Sequence, residues 1–204
     1  MSRVRRADPD EIDAVRHLLT AALLQPPPSL ADAVAAGRVH VAVAGSDIDD
    51  SESATRAVGC LVRLAPTETP DAERVTACVE SLGPTRRPFD PAAWPARTAA
   101  THVDSVAVAR GWRGDGVGTA LVESAVDAAD AAVGAADAVD AAAPGDAVDA
   151  APGDAVDAAD ASTDLPPLTV AFRPAVRPFY ESLGFTVVSA PDGERLVGWR
   201  MCDG

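Results

Sequence analysis

The sequence predicts an α/β fold, and three observations carry that prediction. Strand-like and helix-like apolar patterns alternate along most of the 204 residues. Residues 38–44 and 56–64 are apolar, β-branched runs separated by the acidic, Ser-rich stretch 45–53, which reads as an antiparallel hairpin. Residues 102–109 form a Val-rich strand that passes through a Gly-rich turn directly into an Ala- and Val-rich helix.

Taken in order, residues 3–7 read as an edge strand. Asp8-Pro9 then opens a helix, with a cap followed by Pro at the first helical position. Ile12, Val15, Leu18, Leu19 and Ala22 supply its apolar stripe, and Pro26-Pro27-Pro28 end it. A short second helix covers 30–36, closed by Gly37. Stretch 65–100 is rich in Pro, Thr and Ala, and periodicity leaves 74–82 open between strand and helix. The helix after the Gly-rich turn begins near Gly116 and is expected to end at Val133 or Gly134. Residues 135–166 then repeat small and acidic side chains around Pro144-Gly145 and Pro152-Gly153. Such a segment has too little apolar area to pack, so it reads as a disordered, low-complexity insertion within a single domain spanning 1–204. Residues 168–172 form a buried strand, 174–183 a short helix ended by Gly184, and 185–189 with 195–201 a hairpin turning at Asp192-Gly193. The predicted order is β-α-α-β-β-β-α-β-α-β-β.

Charge excludes several partners. The formal net charge is −14, which would repel nucleic acid and anionic membranes. Ten of the 31 acidic residues are Asp between 127 and 164, leaving 21 acids against 17 bases elsewhere. All 17 bases are Arg. No stretch is apolar enough to span a bilayer, and Met1-Ser2-Arg3-Val4-Arg5-Arg6 leads into acidic residues rather than an apolar signal core, so the expected location is the cytoplasm. Cys60, Cys78 and Cys202 lack disulfide or zinc spacing, and His17, His40 and His102 are equally scattered, so no metal is expected.

The chemistry centres on Arg113-Gly114-Asp115-Gly116-Val117-Gly118. Glycines at a helix N-terminus let successive N–H groups converge on a phosphate, although such turns also join strands to helices without binding anything. A Walker loop needs a Lys, which the chain lacks, and a Rossmann fingerprint would place Gly where Leu121 stands. Some sixty residues later comes Phe179-Tyr180-Glu181-Ser182-Leu183-Gly184-Phe185. The R-x-x-G-x-G pattern and this second motif, in this order, resemble the GCN5-related N-acetyltransferase (GNAT) family.

The resemblance implies a mixed, largely antiparallel sheet flanked by helices on both faces, splayed near Val106 and Val108 to admit acetyl-CoA as co-substrate. It implies that backbone N–H groups of Gly114, Asp115, Gly116, Val117, Gly118 and Thr119 hold the pyrophosphate. The main chain of Val106 and Val108 would pair with the pantetheine arm, and Arg113 would add a charge-assisted phosphate contact. Tyr180 matches the family tyrosine that protonates the departing thiolate; packing against the core is its bland alternative. Bases in the family often come from the neighbourhood of His102 and Asp104, for which structural roles are the alternative. Two departures stand out: Arg173 occupies a position where the family often has Asn touching pantetheine, and Pro178 lies inside the short helix. Glu123 and Asp127, four apart on one helical face, read as solvated.

The expected activity is direct acetyl transfer to a primary amine of a small molecule or peptide, in a ternary complex, by a monomer or homodimer. A catalytically silent acyl-CoA-binding module is the alternative, and a third reading gives the acidic insertion the role of recruiting a basic partner. The resemblance assigns acceptor contacts to 25–36 and 190–195, and neither segment has a distinctive charge pattern.

Overall fold

The computed structural model describes residues 2–45, 56–96, 101–141 and 168–201. The turn expected at 45–53 from Ser46 onward, residues 142–166 of the expected insertion, and Cys202 lie outside the described residues.

Strand β1 (Ser2–Arg6) is an edge strand, and α1 (Ile12–Ala21) follows a one-turn 3-10 segment at Pro9–Glu11. The carboxylate of Glu11 accepts the Asp8 N–H at 2.9 Å and two bonds from Arg5 at 2.6 and 2.9 Å. These bonds fasten the helix start to β1. Next come α2 (Leu30–Ala35), β2 (Val39–Ala44) and β3 (Arg56–Leu64). The stretch that periodicity leaves open holds a helix, α3 (Ala72–Ser81). Its buried Val75, Cys78 and Val79 stand at helical spacing, and packing of that face selects helix over strand. The remaining elements are β4 (Thr101–Val108), α4 (Val117–Ala141), β5 (Leu168–Phe172), α5 (Arg177–Ser182), β6 (Thr186–Ser189) and β7 (Leu196–Arg200). The α4 helix runs past the expected end at 133–134. Ala is the best helix former and dominates the added turns that end at Ala141.

Among the described residues seven strands lie in the order β1-β2-β3-β4-β5-β7-β6, and only the β4–β5 pair is parallel. The sheet is therefore mixed and largely antiparallel. Alternation along each strand assigns its two faces. Val39, Val41 and Val43 pack with Val15, Leu18 and Leu19 of α1 and with Leu30 and Val34 of α2. Ala42, Leu61, Val103 and Val170 pack on the other face with Val117, Leu121, Val122 and Ala125 of α4 and Tyr180 of α5. Val197 and Trp199, opposite in facing to Leu196, carry α3 together with Phe89 and the fully buried Trp94. Among the described residues no helix is long and apolar enough to cross a membrane.

One close approach fixes α4 to the sheet. A Cβ built on Gly59 would lie 2.9 Å from Val117 Cγ1, 3.1 Å from Leu121 Cδ1 and 3.2 Å from the Ala107 carbonyl oxygen. Gly59→Ala is expected to destabilise the protein by about 1–3 kcal/mol through overpacking. The displaced start of α4 should also weaken the coenzyme A binding that the family resemblance implies. Thermal unfolding beside a coenzyme A titration measures both effects, and an unchanged midpoint with unchanged affinity refutes this reading of the contact.

Candidate active site

The site grows out of an irregularity in β4. Val62 of β3 pairs with Ser105 and Arg63 with Val103, so Asp104 stands opposite no residue. Such a bulge bends the strand and re-aims the side chains beyond it. On the other edge, β4 pairs with β5 only at Thr101–Leu168, His102–Thr169 and Val103–Val170, although β4 continues to Val108 and β5 to Phe172. The two strands thus part immediately above the bulge. Ala109 N–H donates to Val58 O at 2.8 Å, which turns the polar groups of residues 105, 107 and 109 toward β3. The N–H and C=O groups of Val106 and Val108 consequently face the space that β5 has vacated.

Beyond β4 a 3-10 turn at Arg110–Trp112 leads to Gly114 at φ 91° and Gly116 at φ 78°. A Cβ on either glycine would meet nothing within 4 Å, so the requirement is for left-handed backbone and not for space. Val117, buried against Gly59, then starts α4 and leaves the N–H groups of its first turn without helical partners. Asp115 is exposed on the loop, and Gly118 and Thr119 lie in that first turn, half-buried. Helix α5 closes over the same end. A Cβ on Gly118 would sit 3.6 Å from the Phe179 ring and 3.9 Å from Val108 Cγ2, so the two sequence motifs meet in space.

Tyr180 lies beside Phe179 in the core. It is 6% exposed, stacked on Phe172 with ring centroids 4.4 Å apart, and edge-on to Phe179 and Phe185 at 5.1 and 5.4 Å. Burial pushes its phenol above the ordinary tyrosine range. Pro178 falls in the first turn of α5, where its missing N–H breaks no helical bond, so this departure leaves the helix intact. Arg173 is exposed directly after β5, at the start of the 3-10 turn that leads into α5.

Below the splay the polar groups are organised on the α3 face. His102 is fully buried, shares a 2.9 Å hydrogen bond with Thr169 Oγ1, and places Nε2 3.9 Å from Asp71 Oδ2. Burial, followed by the charge of Arg195, lowers its pKa to about 3. Asp104 is half-buried and accepts Ser105 Oγ–H at 2.7 Å. Burial raises its pKa, against that hydrogen bond and the charge of Arg195. Arg195 donates to Asp71 Oδ2 at 3.2 Å, Arg74 also pairs with Asp71, and Arg74 Nε reaches Asp192 Oδ2 at 3.0 Å. This ladder ties α3 to the β6–β7 turn beside the splay. Sequence reasoning missed Asp71, Arg74 and Arg195, because nothing local marks residues whose partners lie up to 124 positions away. Glu123 and Asp127 are both exposed. A separate cavity of about 560 Å³ lies between α4 and the C-terminal end of α5, lined by Glu123, Leu183, Gly184, Thr186 and Arg200, and it shares no residue with the splay. Among the described residues, no group of three or more His, Cys, Asp or Glu side chains could hold a metal ion.

A family model for the acetyltransferase (GNAT) domain matches residues 87–187, the stretch that holds the parted strand pair and the glycine loop at the helix start. The chain belongs to the GNAT family and is an N-acetyltransferase. The fold is similar to that of Ard1 from Thermoplasma volcanium, at 12% identity and TM-score 0.53 over 100% of this chain and 99% of that one. It is also similar to N-acetylglutamate synthase from Neisseria gonorrhoeae, complexed with coenzyme A and L-arginine. There identity is 11% and the TM-score 0.53, over 100% of this chain and 34% of the larger one. A third likeness is to the NatC complex bound to Gag peptide and coenzyme A, at 14% identity and TM-score 0.51, covering 100% and 99%. No curated protein matches the sequence.

Proposed function

We propose that the protein moves the acetyl group of acetyl-CoA directly to a primary amine within a ternary complex. One observation carries the reading: the main chain of Val106 and Val108 faces a space without a strand partner, next to the first turn of α4. An amide-bearing pantetheine arm can add to that edge as a strand would. Its pyrophosphate then meets the N–H groups of Gly114, Asp115, Gly116, Val117, Gly118 and Thr119. Arg113 and Arg173 supply positive charge at the same end of the cleft. The coenzyme A held by the Neisseria enzyme and by NatC supports the assignment of the donor.

The amine nitrogen attacks the thioester carbon, the C–S bond breaks, and the phenolic proton of Tyr180 passes to the sulfur. The amine's own proton goes to Asp104, whose raised pKa makes it a stronger base than an exposed Asp. Asp104 is preferred over His102 for this step because the imidazole is fully enclosed and its basicity is low. The acceptor belongs to the class of small-molecule or peptide amines and enters between the α1–α2 connection and the β6–β7 turn, on the side of Arg195.

Thiol release from acetyl-CoA over a panel of amines, amino acids and peptides tests the activity. Tight coenzyme A binding without turnover on any amine would establish the silent binding module instead. Asp104→Asn is expected to lower kcat/KM by roughly 10- to 100-fold while coenzyme A affinity is retained. An unaltered kcat/KM removes Asp104 from the mechanism.

A further inference from the structure

The open edge of β4 is not empty of contacts. Arg113 Nε donates to the Val108 carbonyl oxygen at 3.1 Å, and that carbonyl points into the space vacated by β5. Arg113 is exposed, so burial does not force the contact. In an acidic chain the guanidinium pairs with no carboxylate among the described residues, and its Nη groups make no bond there. It therefore binds a neutral carbonyl with one donor and leaves its Nη fork unpaired among the described residues.

We propose that Arg113 makes the donor cleft selective for phosphate-bearing thioesters: lying on the Val108 carbonyl, it blocks neutral arms, and a diphosphate on the glycine loop draws it off. The inference rests on the reading that acetyl-CoA enters the splay along β4. Two donors compete for one carbonyl, the Nε–H of Arg113 and an amide N–H of the arm. A hydrogen bond from a charged group is the stronger of the two, so a neutral arm alone loses the competition. A diphosphate changes the outcome, because a bidentate guanidinium–phosphate pair exceeds a single bond to a carbonyl. The arm and the phosphates then bind cooperatively, although they contact different parts of the cleft.

The test compares coenzyme A with pantetheine, which lacks phosphate, by calorimetry on the wild-type protein, Arg113→Ala and Arg113→Gln. Arg113→Ala is expected to weaken coenzyme A about tenfold and to tighten pantetheine by a similar factor. Gln carries its amide nitrogen where Arg carries Nε, so Arg113→Gln keeps the bond to Val108 and loses the phosphate fork. It should weaken coenzyme A at least as much as Ala does and, as a neutral donor that still occupies the carbonyl, tighten pantetheine less than Ala does. Equal weakening of both ligands by Ala overturns the proposal, as does pantetheine affinity that Ala leaves unchanged or that Gln improves as much as Ala. A wild-type protein that binds no coenzyme A overturns the donor reading itself. Because Arg113 is exposed, far-UV dichroism of both variants should match the wild type.

Discussion

Tyr180→Phe is expected to lower kcat by roughly 100-fold while the KM for acetyl-CoA and the thermal midpoint stay near their wild-type values. The substitution keeps the ring that stacks on Phe172 and meets Phe179 and Phe185, and removes only the hydroxyl. Core packing is thereby preserved. Burial raises the phenol's pKa, which on its own weakens it as an acid. In the proposed ternary complex the same enclosure would raise the basicity of the departing thiolate, since desolvation disfavours both anions, and would keep the transfer matched in driving force. The sign for pH is set by the same shift. A phenol ionising above its ordinary range stays protonated throughout neutral and mildly alkaline solution, so Tyr180 should add no alkaline limb below about pH 10. A Phe variant with wild-type kcat would show that the ring serves packing alone.

Acidification is expected to remove much of the stability between pH 6.5 and 4. His40 and His102 are 2% and 0% exposed. Burial, with the charges of Arg63 and Arg6, holds His40 down to about 4; burial, with Arg195, holds His102 down to about 3. Both folded-state values lie below the unfolded value, so below pH 6.5 the unfolded chain takes up protons that the folded chain refuses. The contribution is complete above pH 6.5 and is lost as pH falls toward the folded values. At pH 5 the cost is about 2 kcal/mol for each imidazole, against a total of about 5–15 kcal/mol for a typical domain. The local geometry agrees for His40. Arg63 Nη2 donates to its Nε2 at 3.4 Å, which leaves Nδ1–H to donate to Ser124 Oγ at 2.8 Å, so a second proton would break the Arg63 bond. Urea midpoints at pH 7.5 and 5 measure the loss, and His40→Gln should remove about half of it. Glu68 is held down by its hydrogen bonds from Arg38, and Asp104, raised by burial, changes stability in the opposite sense on acidification, so neither accounts for a loss in this window. A midpoint that stays level from pH 7 to 5 would refute the assignment.

Legibility differs from element to element. The strand at Leu168–Phe172, the hairpin turning at Asp192-Gly193 and the edge strand at Ser2–Arg6 arise from local alternation and turn residues, and each appears where its pattern lies. The α3 stripe of Val75, Cys78 and Val79 is too short to decide between helix and strand alone, and contact with Val197 and Trp199 resolves it. The α4 end is hidden in the sequence because Ala sustains a helix without an apolar face to announce it. His102 looks available in sequence because a strand residue can face either way. Only the pairing with Thr169 and the cover of α3 enclose it.

By itself, the sequence determined what a few neighbouring residues can decide: the left-handed turn at Gly114 and Gly116, the start of α4, and the two motifs whose order marks the family. Tertiary structure decided everything that depends on distant partners. It set the bulge at Asp104, the parting of β4 from β5 above Val103, the closure of Phe179 on Gly118, and the Arg113 bond to Val108. A φ angle is a property of one residue and is written in its side chain. The free edge of a strand is a property of the neighbour that leaves it, and it exists only once the sheet has formed.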